Sequence, residues 1–341
     1  MIHPRTILIL RFSSIGDIVQ TTSVLGTLKN KFPESRIDFM TLSKYSALLQ
    51  EHPYINNIHE VDIKANYKAL KRVGVKMNSL NYDLVLDLHN TTRSKIIRRF
   101  IKNSNKRYIK KPRWNRFKNF ALHLNHFPKN FTVRNWMNQI IDDLFDEEVK
   151  PSKTKLFISK EEIKKTSTFL DSIGLIKPFF VILPGAAWPQ KSWLSERYVS
   201  VIKKCVETYN LSPLLIGGSY DTICDSIKNT LGGKLIDIHG QTNLRESIAI
   251  ISQSEFIIGS DTGLVHAAEA LDIPAISILG PTTKETGAGV FNDRSISVED
   301  KNLWCRPCSQ NGSIPCYRKE QYCMTNIDID SVMKAVHGLM L

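Results

Sequence analysis

Two doubly wound α/β domains, each a parallel sheet covered by helices on both faces, are the fold class this sequence predicts. Three observations carry that prediction. The chain has 341 residues, long for one domain of ordinary size. Short apolar runs alternate with amphipathic helical patterns along most of it, the grammar of parallel βαβ units. That alternation stops in a polar, lysine-rich stretch around residues 147–165 and then restarts. With 42% hydrophobic and 23% charged residues, each half can bury a core of its own.

In the first half, residues 6–12, 36–42, 58–61 and 83–88 read as strands, and 17–31, 45–51 and 66–80 as helices. In the second, strands are expected at 179–183, 213–216, 235–238, 256–258 and 275–279. Helices are expected between them at 196–209, 220–231, 244–252 and 262–271. The domains are therefore drawn at 1–155 and 156–326, followed by a terminal helix within 327–341. In such folds ligands bind outside the carboxyl ends of the strands, which predicts a cleft between the two domains.

No run of about 18 or more apolar residues is present, so no transmembrane helix is expected. The first apolar run ends at Arg11 and lacks the small-residue cleavage site of a signal peptide, which predicts a cytoplasmic protein. The formal net charge of +13 calls for an anionic partner: nucleic acid, an anionic membrane or a phosphorylated substrate. The densest basic run lies between Arg93 and Lys118, which is either a solvated face or an electrostatic docking site.

Four strand-to-helix junctions could carry chemistry. In the first, Ser13, Ser14 and Gly16 form a tight turn that can offer helix-start N–H groups to an anion. Asp17 follows as an N-terminal helix acid, and equally as a carboxylate where a general base would stand. In the second, Gly185, Ala186 and Ala187 allow a ligand close to the backbone. Lys191 then supplies a cation between two tryptophans, or snorkels over them. In the third, Asp261 and Thr262 are expected to cap a helix, with Gly263 and Leu264 in its open first turn. That is a site for a diphosphate, and His266 has at most a supporting role. The fourth, Leu279 to Thr283 after the last strand, is a turn signal first and a ligand loop second; Gly217 to Asp221 has the same character, and its acid could accept a ribose hydroxyl.

Taken together, RFSSIGDIVQT from Arg11, YDLVLDLHNTTRS from Tyr82, PGAAWPQKSW from Pro184 and GSDTGLVHAAEALDIPAISILGPT from Gly259 resemble the ADP-heptose:lipopolysaccharide heptosyltransferases of glycosyltransferase family 9. The resemblance runs through nearly the whole chain. It implies a GT-B fold of two Rossmann-like domains, with the acceptor on the amino-terminal one and the nucleotide sugar on the other. It further implies that Asp17 is the base for an inverting attack and that Lys191 neutralises the donor phosphates. Gly185, Ala186, Ala187, Asp221, Asp261, Thr262, Gly263, Leu264 and His266 would line the donor. Ser13, Ser14, Gly16 and Arg93 would line the acceptor. The partners implied are ADP-heptose and a lipopolysaccharide core acceptor, with transient contact to the inner face of an anionic inner membrane. No cofactor is implied for catalysis, and no nucleic acid is expected, because no reader motif accompanies the charge. A family relative using another nucleotide sugar or a protein acceptor stays open, as do a nucleotide-sugar sensor and a nucleic-acid-binding protein.

Cys305, Cys308, Cys316 and Cys323 cluster in a short loop-rich segment, while Cys205 and Cys224 sit inside helical patterns as buried thiols. In a cytosolic chain the four-cysteine cluster points to a closed structural zinc or iron site, or to four reduced thiols. The terminal helix after it would, in the GT-B pattern, cross back onto the first domain.

Overall fold

The computed structural model describes residues 3–102, 104–145 and 150–341. Contacts within the chain divide it into two compact units: residues 1–112 with 131–157, and residues 113–130 with 158–341.

The first unit is built on β1 (Thr6–Leu10), α1 (Ile15–Lys31), β2 (Arg36–Leu42), β3 (Asn57–Val61), α2 (Tyr67–Asn78), β4 (Leu84–Asp87), α3 (Thr92–Phe100) and β5 (Asn105–Tyr108). Helix α4 (Arg113–Ala121) groups with the second unit, and α5 (Val133–Asn138) returns to the first. The sheet runs β3-β2-β1-β4-β5 with all neighbours parallel. Strand β1 is central, and its unbroken apolar run is what a strand covered on both faces requires: Ile7, Leu8, Ile9 and Leu10 are fully buried. Ser14 caps α1, whose residues from Ile18 to Leu28 are buried and pack on α5.

The second unit contains α6 (Lys160–Ser172), β6 (Phe179–Leu183), α7 (Ser195–Tyr209), β7 (Ser212–Leu215), α8 (Thr222–Leu231), β8 (Ile236–Asp237), α9 (Leu244–Ile251), β9 (Ile257–Ser260), α10 (Gly263–Ala270), β10 (Ala275–Leu279), β11 (Ile296–Glu299), α11 (Tyr322–Thr325) and α12 (Ile329–Met340). Its sheet, also parallel, is ordered β11-β10-β9-β6-β7-β8. Alternate residues of β6 feed opposite faces, as a period of two demands. Phe180 and Ile182 join the core beneath α7 and α12, while Phe179, Val181 and Leu183 join the core beneath α6, α9 and α10.

The structure departs from the sequence expectations in several places. Residues 45–51, expected as an α-helix, lie in a 3₁₀ segment at Ser43–Leu49. The edge strands β5 and β11 were not anticipated, because half-buried edges carry little of the apolar signal that marks central strands. Helix α6 begins inside the stretch read as a polar connection, whose first residues lie outside those described. Its start is a capping box in which Ser159 Oγ accepts from the Glu162 N–H and the Glu162 carboxylate accepts from the Ser159 N–H. The terminal helix α12, expected on the first domain, packs in the second unit against α7, β10 and β11. The reason is its apolar stripe, since Val332, Ala335 and Val336 complete the core under β10. Among the described residues no helix is long and apolar enough to cross a membrane.

Candidate active site

In the second unit, β10, β9, β6 and β7 are consecutive in the sheet, and their carboxyl-end loops hold every donor-side residue singled out from the sequence. The centre is an ion pair. Lys191 Nζ lies 2.8 Å from Asp261 Oδ2, with both side chains about nine-tenths buried. Thr282 Oγ1, from the loop after β10, donates to the same carboxylate oxygen at 2.7 Å. Asp261 therefore does not cap α10 as expected: its carboxylate is turned to Lys191 and Thr282. Thr262 occupies the N-cap position, but its side chain makes no capping bond. The first-turn N–H groups of α10, from Gly263 and Leu264 onward, keep their capacity for an anion, close to the buried Lys191–Asp261 pair.

Ser260, which sequence reasoning passed over, ties the loops together. Its hydroxyl donates to Pro184 O at 3.2 Å, receives the Trp193 N–H at 3.4 Å and lies 3.0 Å from the buried Tyr198 hydroxyl. Trp193 is buried, and its indole N–H reaches Ile327 O, so Lys191 hangs from a loop anchored at both ends. Gly185 has a specific reason to be glycine. A Cβ there would lie 2.2 Å from Asp221 Oδ2. Asp221 itself folds back, accepting the Gly218 N–H at 2.6 Å through that oxygen. Ala186 is half-buried and Ala187 exposed, so both leave their backbone open to a ligand. Leu264 packs on the core beside α10. His266 is buried with its ring stacked on Phe291.

The cysteine-rich segment leans on this same site. Arg306 donates to Gly280 O, to Thr282 O at 3.0 Å and to Glu299 at 2.9 Å, pinning the loop that carries Thr282. Gly312, at φ +80°, lies so close to the Lys191 stem that a Cβ would meet its Cγ at 2.5 Å. Gln321 donates to the Gln190 carbonyl. All four cysteines line one small cavity of about 20 Å³. Their sulfurs are nonetheless directed to other partners: Arg318 donates to Cys305 Sγ at 3.7 Å, Gln321 to Cys323 Sγ at 3.8 Å, and Cys316 to Glu320 O at 3.7 Å. Among the described residues no group of three or more His, Cys, Asp or Glu is arranged to hold a metal. The four sulfurs thus share one cavity while three of them keep separate partners. Burial, reinforced by the neighbouring cysteines, raises the Cys308 thiol, and burial pushes Cys323 up to about 11, so both are protonated at neutral pH.

In the first unit the β1–α1 turn brings Ser13, Ser14, Gly16 and Asp17 together, as expected. Asp17 Oδ2 accepts from the Ser14 N–H and the Ser14 hydroxyl, each at 3.2 Å, and pairs with Arg11 at 2.7 Å. Burial pushes the Asp17 carboxyl up, but the Arg11 charge and the Ser14 hydrogen bonds outweigh it and hold the group below its usual range. Arg11 was quoted in the sequence motif without a role. It is buried and fixed in place by donating to Ser13 O at 2.8 Å and Leu88 O at 2.6 Å. His89 Nδ1 accepts the Phe12 N–H at 3.3 Å. Burial, then the Arg11 and Lys111 charges, push that imidazole down to about 3, so it is neutral at physiological pH. Arg93 is half-buried over the Phe12 ring and donates to Ile63 O at 2.8 Å, which places it beside this turn.

Two doubly wound units, each built on a parallel sheet, have the GT-B build. The sequence model of glycosyltransferase family 9 (heptosyltransferase) matches residues 70–317, and the chain belongs to that family. It is 23% identical to lipopolysaccharide heptosyltransferase 1 of Campylobacter coli over 346 aligned residues, covering 98% of each chain. Two solved structures share the fold. A family 9 glycosyl transferase of Veillonella parvula DSM 2008 superposes with a TM-score of 0.77 at 19% identity, covering 98% of this chain and 97% of the other. The ADP-heptose lps heptosyltransferase II of E. coli gives 0.75 at 19% identity, with 98% of both chains covered.

Proposed function

We propose that this enzyme moves a heptose from ADP-heptose onto the inner core of a lipopolysaccharide acceptor at the cytoplasmic face of a membrane, with inversion at the anomeric carbon. The observation that carries the reading is the Lys191–Asp261 pair at the uncapped start of α10. A nucleoside diphosphate bound there exchanges the single carboxylate facing Lys191 for a more highly charged partner. Lys191 and the helix N-terminus then stabilise the charge that grows on the departing ADP as the sugar–phosphate bond breaks. Asp17 takes the proton from the acceptor hydroxyl as that oxygen forms its bond to the anomeric carbon from the opposite side. Arg11 and Ser14 hold Oδ2, which leaves Oδ1 to face the acceptor. Asp221, close against Gly185, is the candidate for the ribose hydroxyls, and Ser13, Ser14, Gly16 and Arg93 for the acceptor.

The reading predicts selective stabilisation in a thermal melt. ADP and ADP-heptose should raise the midpoint, whereas UDP and GDP at equal concentration should not; a hundredfold excess over Kd corresponds to about 2.7 kcal/mol. A shift with UDP alone would keep the fold and discard the adenine nucleotide.

The same reading includes a structural ion at the cysteine cavity. Four sulfurs lining one small space are a soft donor set suited to zinc or iron, and binding would displace the thiol protons of Cys308 and Cys323. Through Arg306, Gly312 and Gln321 the ion would stiffen the Lys191 and Thr282 loops. Elemental analysis of undenatured protein should find a stoichiometric metal; finding none would leave four reduced thiols.

A further inference from the structure

The excursion through α4, at residues 113–130, buries Phe127 but presents most of its large apolar residues to solvent. Trp114, Phe117 and Ala121 fall at helical spacing on one face, and all three are exposed. Trp114 is 68% exposed and Phe117 50% exposed, their rings stacked on each other 5.5 Å apart. Leu122 and Leu124 extend the patch beyond the helix, both also about half exposed. His123 continues it onto the cysteine-rich segment by meeting the exposed Trp304 edge-on at 5.1 Å. In contrast, the only buried residue of α4 is the polar Asn119. This is the reverse of a helix that serves a globular core.

The excursion is nevertheless held firmly. Asn125 donates to Glu285 at 3.1 Å, and Lys284 donates to Lys129 O at 2.8 Å, both anchors lying in the loop after β10. The charge around it is one-sided. Between Asp87 and Asp142 the sequence carries fourteen Lys and Arg and no acidic residue, so this segment accounts for the entire positive excess of the chain. Arg98 and Arg107 are committed to Asp87 and Asp143. Arg113 is exposed and Lys118 half-exposed on the aromatic helix itself.

We infer that α4 and the segment after it form an interfacial foot that docks the enzyme on an anionic phospholipid surface, with Trp114, Phe117, Leu122 and Leu124 entering the headgroup boundary. Exposed aromatics on a short basic helix are the composition of such a foot. Basic residues supply the attraction to acidic lipid headgroups, and the apolar stripe supplies the insertion. A second copy of this chain is disfavoured as the occupant, because it would set Arg113 and Lys118 of α4 against their own copies. Nucleic acid could stack on Trp114 and Phe117 but gains nothing from the flanking leucines. The inference deepens the proposed function in that a lipid-anchored acceptor lies on the same surface.

The test is flotation of the full-length protein with phosphatidylcholine vesicles, with and without phosphatidylglycerol. Binding is expected only with the anionic lipid. Trp114→Ala/Phe117→Ala should weaken it by roughly tenfold or more, and Arg113→Gln/Lys118→Gln severalfold. The variants' melts and their ADP stabilisation should match wild type, which separates failure of docking from failure of the donor reading. Equal flotation of wild type and Trp114→Ala/Phe117→Ala would overturn the inference. So would absence of flotation together with single-stranded DNA binding that the same variant abolishes.

Discussion

Asp17→Asn should lower the transfer rate by about 10²–10⁴-fold while leaving stabilisation by ADP unchanged. The substitution keeps size and most hydrogen bonding but removes the proton acceptor. Because Arg11 and Ser14 hold the carboxyl below its ordinary value of 3.8, the base is fully ionised throughout the neutral range. The acid limb of kcat/KM in wild type should therefore lie below about pH 4, with Asp17 a carboxylate throughout the neutral range. The sign for stability follows the same shift. A carboxyl depressed in the folded state contributes stability that is present above its unfolded value and is lost as the pH falls through the folded one. Arg11→Met tests the cause. With the guanidinium gone, burial is left to dominate, so the acid limb should move upward and the rate at neutral pH should fall. A limb that stayed in place would show that Arg11 does not set the ionisation of Asp17.

Lys191→Ala should cost about 10²–10³-fold in kcat/KM, because it removes the cation expected to face the leaving diphosphate. It should also destabilise the folded chain, since Asp261 would keep only Thr282 while nine-tenths buried. Breaking such a pair typically costs about 3–5 kcal/mol. The two effects can be separated with Lys191→Ala/Asp261→Asn, which should recover much of the stability and none of the activity. Lys191→Arg should rescue little, because a planar fork would replace the compact ammonium that meets Asp261 Oδ2 at 2.8 Å. Full activity in Lys191→Ala would remove the lysine from the mechanism.

Much of this site could be read from the sequence because strand-to-helix junctions declare themselves. An apolar run ends, small residues follow, and a polar residue opens the helix. Gly259 to Gly263, Pro184 to Lys191 and Ser13 to Asp17 all obey that pattern, and the central strands that deliver them are unbroken apolar runs. What escaped were pairings between residues far apart along the chain. Thr282 meets Asp261 across 21 residues, Arg11 meets Leu88 across 77, and Gly312 packs against Lys191. No local pattern announces such pairings. The capping role expected of Asp261 failed for the same reason, because a carboxylate near a buried ammonium has a stronger partner than a helix N–H. The placement of α12 was an inference from fold analogy, and its own apolar stripe packs in the second unit. The outward-facing aromatics of α4 carry no mark in the sequence, because their exposure is set by the folded chain.

The central claim is tested most directly by incubating the enzyme with ADP-heptose and a lipid-anchored inner-core acceptor and determining the product by mass spectrometry and anomeric NMR. The account predicts one added heptosyl unit with inverted configuration and one ADP released per transfer, both lost in Asp17→Asn. Transfer with retained configuration, or undiminished transfer by Asp17→Asn, would contradict it.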